Sequence, residues 1–261
     1  MTFVLGLAQC RHPEEGGTEA VLEMAEQWCA KASLRGVDIL VFPESLMTRY
    51  ELDRQSFASE AEPIDGPFCC GMDALAARYG LWLVCTVNER NAEGNPFNTA
   101  VITGSDGVKR GVYRKVHLFD TDFTKESDRM AAGPALFEPI DTPFGRIGLS
   151  ICYDLRFPEA ARFAATRGCQ LLINPAAWVD GRLKAEQWRT LLSARAIENE
   201  IFVAGLSRVD KGYIGQSAVF GPDGVMLASG SVREELVAAR IDLSAIDGVR
   251  AAMPVLEHRR P

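Results

Sequence analysis

The sequence predicts an α/β protein in which helices pack on the outside of β-sheets. The first observation is that short apolar segments rich in β-branched residues alternate with longer segments that carry apolar residues at helical spacing. The second is a pair of glycine-containing turns that join adjacent strands. The third is size, because a chain of 261 residues that is 47% hydrophobic can bury a sizeable core. Residues 1–261 are therefore expected to form one domain.

The first half of the chain opens on a strand followed by a helix. Gly36 ends that helix, and the β-branched strand after it is typical of one that is covered on both faces. The turn at 104–107 joins two further strands. The predicted segments are, in order, a strand at 3–8, a helix at 18–34, a strand at 38–42, a helix at 67–79, a strand at 81–87, and strands at 95–103 and 111–114.

The second half begins after a long polar loop. Residues 116–133 are nearly aperiodic and too long for a simple connection, and such loops usually shape a site. A strand at 147–151 follows, and Pro158 suits the first turn of the next helix. The remaining predicted segments are a helix at 159–166, a strand at 169–174, a helix at 184–199, strands at 201–206, 217–220 and 225–228, and a last strand at 236–241.

The charge balance and the apolar runs limit the expected partners. With 28 Lys and Arg against 35 Asp and Glu, the net charge is −7 at pH 7. No basic cluster interrupts this balance, so a small-molecule substrate is expected rather than nucleic acid or an anionic membrane. The apolar runs fall short of the ~20 residues of a spanning helix, and no signal peptide opens the chain, so a cytoplasmic location is expected.

The cysteines and histidines predict neither a disulfide framework nor a metal site. Seven cysteines form an odd number without CxxC spacing, and the three histidines are scattered along the chain. We therefore expect no metal and no cofactor.

Glu44, Lys115 and Cys152 each come just after a predicted strand. Loops at the carboxyl ends of strands line one crevice in an open sheet, so the three side chains are expected to converge. Singly, each has an ordinary interpretation as a solvated acid, a surface cation or a buried thiol. Together they form a chemical set, because an ammonium lowers the pKa of a thiol and a carboxylate can accept its proton and later protonate a leaving amine.

Three motifs carry a resemblance to a known family. They are Val41-Phe42-Pro43-Glu44, Tyr113-Arg114-Lys115-Val116-His117-Leu118-Phe119-Asp120 and Ile151-Cys152-Tyr153-Asp154-Leu155-Arg156-Phe157-Pro158-Glu159. With all three in this order, the sequence resembles the nitrilase (carbon-nitrogen hydrolase) superfamily over nearly the whole chain. The second and third motifs are most similar to the omega-amidase branch. Further matches are Asn174-Pro175-Ala176-Ala177-Trp178, Ala194-Arg195-Ala196-Ile197-Glu198-Asn199 and Gly215-Gln216-Ser217.

The resemblance implies a fold and an assembly. The fold would be a four-layer α-β-β-α sandwich, and two such units would associate into an eight-layer dimer. The C-terminal residues 247–261 are too apolar for a loose tail and are expected to dock. By resemblance, the partner would be a second subunit of a homodimer or higher homo-oligomer, with the helices near 159–166 and 184–199 in the interface.

The resemblance also implies a Glu-Lys-Cys catalytic triad, which maps onto Glu44, Lys115 and Cys152. A second glutamate of the family maps onto Glu126, which stands before a serine and, further on, Gly133-Pro134. The loop from Lys115 to Glu126 is shorter than in many relatives.

Resemblance to the omega-amidase branch implies the reaction. The enzyme would hydrolyse the terminal carboxamide of a small 2-oxo dicarboxylic acid monoamide to the acid and ammonia, through a cysteine thioester. The backbone N–H of Tyr153 is expected to hold the oxyanion together with Lys115. Arg156 is expected to pair with the free carboxylate of the substrate, or else to form a structural ion pair with Asp154 or Glu159. Other substrate-binding candidates are Arg49 and Tyr50 for the carboxylate, and Phe119 and Trp178 for the pocket wall.

Other activities stay open. Deaminated-glutathione amidases share most of these motifs, and N-carbamoyl-amino-acid hydrolases are a further alternative. From a different class, the chain could be a non-catalytic binding protein, or Cys152 a redox-sensing thiol. Retention of all three triad residues argues against a non-catalytic role, and amidase turnover would separate an enzyme from a redox sensor.

Overall fold

The computed structural model describes residues 1–48 and 54–260, with residues 54–56 described by their backbone alone. Arg49 and Tyr50, two of the predicted substrate-binding residues, lie outside the described residues. Across the described part of the chain, none of the helices has the combination of length and apolar character that a membrane span requires.

The described residues form twelve strands in two six-stranded sheets. In chain order the strands are β1 (Thr2–Gln9), β2 (Ile39–Val41), β3 (Trp82–Glu89), β4 (Phe97–Thr103), β5 (Lys109–Arg114), β6 (Ile140–Thr142), β7 (Gly145–Leu149), β8 (Leu171–Ala176), β9 (Phe202–Ser207), β10 (Ala218–Phe220), β11 (Met226–Ser229) and β12 (Glu235–Asp242).

Each sheet has a parallel centre and antiparallel edges. The first sheet has the order β12-β1-β2-β3-β4-β5, in which β1, β2 and β3 are parallel. The second has the order β11-β10-β9-β8-β7-β6, in which β7, β8 and β9 are parallel. The parallel strands bring the carboxyl ends of β2 and β7 to the places where ligands bind in open α/β sheets.

Seven helices and two 3-10 turns complete the described residues. The helices are α1 (Gly17–Leu34), α2 (Arg54–Glu60), α3 (Pro67–Tyr79), α4 (Pro158–Ala165), α5 (Lys184–Asn199), α6 (Ser244–Ala252) and α7 (Val255–His258). The 3-10 turns span Glu126–Asp128 and Cys152–Arg156.

Helices cover the two outer faces of the sheets. Along β1, Leu5 and Leu7 join the core between the sheets, whereas Ala8 packs in the cluster under α1 and α3. On the second sheet, Gly205 of β9 lets α5 approach closely, because an added Cβ would lie 2.6 Å from the ring of Trp188. Each fully buried leucine contributes roughly 1.5–3 kcal/mol. The predicted four-layer α-β-β-α sandwich is therefore confirmed, while its pairing into an eight-layer dimer stays a prediction.

The strand predicted at 169–174 is displaced towards its C-terminus, since β8 continues through Pro175 to Ala176. A proline cannot donate to a neighbouring strand. β7, however, pairs with β8 only as far as Ile173, whereas β9 pairs with it to the end. Pro175 is therefore tolerated because one side of β8 has already lost its neighbour.

Four elements were not predicted: β6, α2, α6 and α7. The three residues of β6 form an edge strand that is only half-buried, so no apolar alternation marks it in the sequence. A seven-residue helix such as α2 is likewise too short for a helical period to stand out.

The apolar C-terminal segment docks on its own chain. Leu256 in α7 packs against the main core, and the backbone N–H of Val255 donates to Glu200 Oε1 at 3.0 Å. These contacts account for part of the apolar character of residues 247–261, and docking on a second subunit stays a prediction.

Candidate active site

Chain segments at the carboxyl ends of β2, β5 and β7 meet in one pocket. Glu44 lies shortly after β2, Lys115 directly follows β5, and Cys152 lies shortly after β7. All three side chains line the same pocket. The lining also includes Phe119, Glu126, Tyr153, Arg156, Trp178 and Lys184.

Hydrogen bonds fix both carboxylate oxygens of Glu44, a residue only 3% exposed. Its Oε1 accepts from Lys115 Nζ and from Asn98 Nδ2, each at 2.8 Å. Its Oε2 accepts from the backbone N–H of Ala177, also at 2.8 Å. The thiol of Cys152 shares a hydrogen bond with the same carboxylate. Glu44 is therefore held where it can accept the thiol proton.

Lys115 lies between two carboxylates. Its Nζ is 2.8 Å from Glu44 Oε1 and 2.8 and 3.0 Å from the two carboxylate oxygens of Glu126. The lysine is 1% exposed, and a buried ammonium is tolerated only when it is paired and hydrogen-bonded. We call Glu44, Lys115 and Glu126 the buried charge cluster.

The short loop after Lys115 brings Glu126 into the cluster. Glu126 begins a 3-10 turn, is 1% exposed, and accepts the backbone N–H of Phe119 at 2.7 Å. Asp120 closes the loop, because its two carboxylate oxygens accept the backbone N–H and the hydroxyl of Ser127 at 3.0 and 2.7 Å. The reduced length of this loop therefore does not move Glu126 away from Lys115.

Cys152 has a backbone conformation that residues other than glycine rarely adopt. Its φ is +47°, in the left-handed region, and it begins the 3-10 turn that follows β7. This conformation costs roughly 1–2 kcal/mol in a residue other than glycine. Such strain is found mostly where function needs it, and here it accompanies a thiol that faces the pocket.

Asp154 ties the Cys152 turn to the segment that carries Lys115. Its fully buried carboxylate accepts the backbone N–H of Ile151 at 2.9 Å and the hydroxyl of Tyr113 at 2.7 Å. It also accepts the backbone N–H of His117 at 3.0 Å, and His117 Nδ1 lies 2.7 Å from the same oxygen. Asp154 was considered only as a partner of Arg156 in the sequence, although it lies in the third motif.

The protonation pattern of the site follows from burial and from the cluster. Burial alone would raise the pKa of Glu44, but the Lys115 ammonium and its hydrogen bond hold it below the ordinary value of 4.5. Burial alone would lower the pKa of Lys115, but Glu126 and Glu44 hold it well above 10.5. Burial and the Glu44 carboxylate raise the pKa of the Cys152 thiol well above 9.0, although Lys115 opposes them.

The raised pKa indicates that Cys152 is a neutral thiol at neutral pH. The sequence analysis predicts that the ammonium of Lys115 lowers the pKa of Cys152. In the structure the buried charge cluster already has two carboxylates for one ammonium, so a thiolate would add a further negative charge. Burial and the negative charge of the cluster therefore oppose a free thiolate at Cys152.

Aromatic rings and Arg156 form the substrate side of the pocket. Phe119 and Tyr153 meet edge to face with ring centroids 5.1 Å apart. Arg156 lies over the ring of Trp178 at 4.9 Å and donates to Gln187 Oε1 at 2.8 Å. Within residues 1–48 and 54–260, no ion pair joins Arg156 to Asp154 or Glu159, its predicted alternative partners. The carboxylate of Asp154 lies against His117 instead.

Lys184 is a pocket residue that the sequence did not reveal. It is the first residue of α5, and its Nζ lies 5.7 Å from the ring centroid of Phe119. The start of this helix was predicted correctly. The direction of the Lys184 side chain depends on how α5 packs, which no local pattern in the sequence specifies.

In the described part of the chain, no group of three or more His, Cys, Asp and Glu side chains is placed to hold a metal ion. All seven cysteines are free, and Cys70 is the exposed one.

Comparison with known proteins gives the family. The family model described as carbon-nitrogen hydrolase matches residues 5–251. The chain is 32% identical to a deaminated glutathione amidase of Escherichia coli O157:H7, over 91% of this chain and 90% of that protein. It is 34% identical to the omega-amidase NIT2 of Homo sapiens, over 88% of this chain and 86% of that protein. It is also 34% identical to the fusion protein NitFhit of Caenorhabditis elegans, of which it spans only 60%.

A solved structure gives the same answer for the fold. The crystal structure of a carbon-nitrogen hydrolase from Helicobacter pylori G27 superposes with a TM-score of 0.93 at 29% identity, covering 100% of this chain and 96% of that one. The chain therefore belongs to the carbon-nitrogen hydrolase family of the nitrilase superfamily, and it is an amidase-type hydrolase.

Proposed function

We propose that this protein hydrolyses the terminal carboxamide of a short dicarboxylic acid monoamide, with a 2-oxo acid as the preferred form. The products are the dicarboxylic acid and ammonia, and the intermediate is a thioester of Cys152. The observation that carries this proposal is a single pocket. It holds the thiol of Cys152, the carboxylate of Glu44 hydrogen-bonded to that thiol, the buried ammonium of Lys115 and a further cation, Arg156.

The first half of the reaction forms the thioester. Glu44 accepts the proton of Cys152 as Sγ bonds to the amide carbon, and negative charge develops on the amide oxygen. Protonation of Glu44 weakens its hold on Lys115, so an N–H of the ammonium becomes free for this oxygen. The backbone N–H of Tyr153 is the second donor. When the C–N bond breaks, Glu44 returns its proton to the nitrogen, and ammonia leaves.

The second half restores the enzyme. Glu44 accepts a proton from water as the water oxygen attacks the thioester carbon, and the same two donors hold the new oxyanion. The C–S bond then breaks, the acid leaves, and the proton returns from Glu44 to Cys152. Throughout, Glu126 keeps Lys115 charged and in place through its hydrogen bonds at 2.8 and 3.0 Å.

Arg156 supports a substrate that carries a carboxylate. It ends the 3-10 turn that Cys152 begins, and both residues line the pocket. Such a placement suits a short acid whose amide and carboxylate lie at opposite ends. Desolvating a carboxylate without a partner is costly, and the planar guanidinium offers a bidentate one.

A second candidate substrate is deaminated glutathione, which the similarity to the Escherichia coli amidase favours. The deciding experiment measures ammonia and acid release from 2-oxoglutaramate, deaminated glutathione and N-carbamoyl amino acids. A kcat/KM at least tenfold higher for 2-oxoglutaramate is expected. A higher value for either of the others would replace the substrate, and no turnover of any of them would overturn the proposed function.

We also propose that the chain works as a homodimer. Met253 and the α5 residue Ile197 are exposed apolar side chains in segments that the family resemblance assigns to the interface. Light scattering at micromolar concentration is expected to give twice the 28.6 kDa of one chain, and a monomer would contradict this proposal.

A further inference from the structure

Two cations face the pocket beside the buried charge cluster, and the described residues provide neither with an anionic partner. Arg156 donates to the neutral amide of Gln187 and lies over Trp178. Lys184 points its ammonium towards the ring of Phe119. The two carboxylates of the cluster pair with Lys115 and not with Arg156 or Lys184.

The first turn of α5 fixes the position of both cations. Lys184 begins this helix, and Gln187, one turn later, accepts the hydrogen bond from Arg156. Trp178, whose ring lies beneath Arg156, donates its Nε1 to the carbonyl of Lys184 at 3.1 Å. The first turn of α5 thus carries one cation and the hydrogen-bond partner of the other. The N-terminal end of the same helix adds a partial positive charge.

Two like charges in a partly desolvated pocket repel each other, and a bound anion removes that cost. The repulsion is visible at Lys184, since burial lowers the pKa of its ammonium and Arg156 lowers it further. The arrangement is therefore completed by a ligand that brings a negative charge between the two side chains.

We propose that Lys184 is a specificity-determining residue that binds the free carboxylate of the substrate together with Arg156. The inference rests on the proposed function and narrows its substrate class to amides that carry a carboxylate. The guanidinium binds two carboxylate lone pairs in its plane, and the ammonium binds a remaining one as a compact charge. A neutral amide of the same length has nothing to offer either cation.

The test compares two amides of equal length. Succinamate carries a carboxylate, and butanamide carries a methyl group in its place. Lys184→Met is expected to raise KM for succinamate at least about tenfold more than KM for butanamide, because a charge-assisted hydrogen bond is lost. Lys184→Arg is expected to restore most of the difference. The matched control is Arg182→Met, which removes an exposed cation two residues away and is expected to leave both substrates unaffected.

Succinate, a dicarboxylate that needs no turnover, separates failure of the inference from failure of the proposed function. Its Kd from titration calorimetry is expected to rise about tenfold or more in Lys184→Met. A wild-type protein that binds succinate in this way but hydrolyses neither amide would overturn the proposed function alone. Equal effects of Lys184→Met on both amides, or an unchanged Kd for succinate, would overturn the inference while leaving amidase activity intact.

Discussion

The substitution Glu126→Gln tests whether the second glutamate of the buried charge cluster supports catalysis. Glu126 accepts hydrogen bonds at both oxygens, from Lys115 and Asn98 at Oε1 and from Lys115 and Phe119 at Oε2. A glutamine can accept at only one of these positions, and its amide group places a donor against donors at the other.

The size of the effect follows from that count. At least one hydrogen bond to a charged group is lost, which costs roughly 1.5–3 kcal/mol. This free energy would be lost from the interaction that orients Lys115 towards the oxyanion. At 1.36 kcal/mol per tenfold change, kcat/KM would then decrease by about 10- to 150-fold. The decrease is expected in kcat, since Glu126 holds Lys115 rather than the substrate.

The assay is steady-state ammonia release, and Glu89→Gln provides the control. Glu89 is also buried and paired, with Arg114 at 2.6 Å, but it does not line the pocket. Both variants are expected to lower the melting temperature, and only Glu126→Gln is expected to lower kcat. A kcat in Glu126→Gln within twofold of the wild-type value would refute the role assigned to Glu126.

Three further predictions follow from the same contacts. In Asp154→Asn, the new amide N–H group faces hydrogen-bond donors in the buried network, which costs about 2 kcal/mol. Differential scanning calorimetry should therefore show a melting temperature lower by roughly 4–8 °C. An unchanged melting temperature would contradict the role of Asp154 in connecting the Cys152 turn to the segment that carries Lys115. Iodoacetamide at neutral pH should label exposed Cys70 first, and in a Cys70→Ser background Cys152 should be labelled faster as pH rises, because its pKa is raised. Labelling of Cys152 that is independent of pH from 6 to 9 would indicate a resting thiolate. The lowered pKa of Glu44 contributes stability that is lost only below about pH 4.5. The raised pKa of Lys115 contributes stability that is lost only above about pH 10.5. Between these limits, the contribution of this pair to the free energy of unfolding should change little with pH.

The sequence predicts the placement of the three strand-end residues well. Regular alternation of strands and helices determines which strand ends share an edge, so the convergence of Glu44, Lys115 and Cys152 can be expected without coordinates. Glu126 is different, because the loop that carries it has no period, and only resemblance to relatives identified it. Contacts within that loop, such as the hydrogen bond between Ser127 and Asp120, depend on the length of the loop.

The electrostatic state of the site could not be predicted from the sequence. The pKa of Cys152 depends on its burial and on the number of carboxylates around Lys115, and both are properties of the packed core. The left-handed φ of Cys152 is equally invisible, since a cysteine after a strand normally continues in an extended conformation. Lys184 was missed for a related reason, because the packing of a helix decides which of its side chains face a pocket.

Rapid acid quench followed by intact mass spectrometry tests the covalent intermediate most directly. During turnover of 2-oxoglutaramate, the account predicts a species heavier than the protein by the mass of the substrate minus ammonia. Peptide mapping should place the adduct on Cys152, hydroxylamine should remove it, and Cys152→Ala should show neither adduct nor ammonia release. Steady ammonia release from the Cys152→Ala protein, or an adduct on any other residue, would contradict the thioester mechanism.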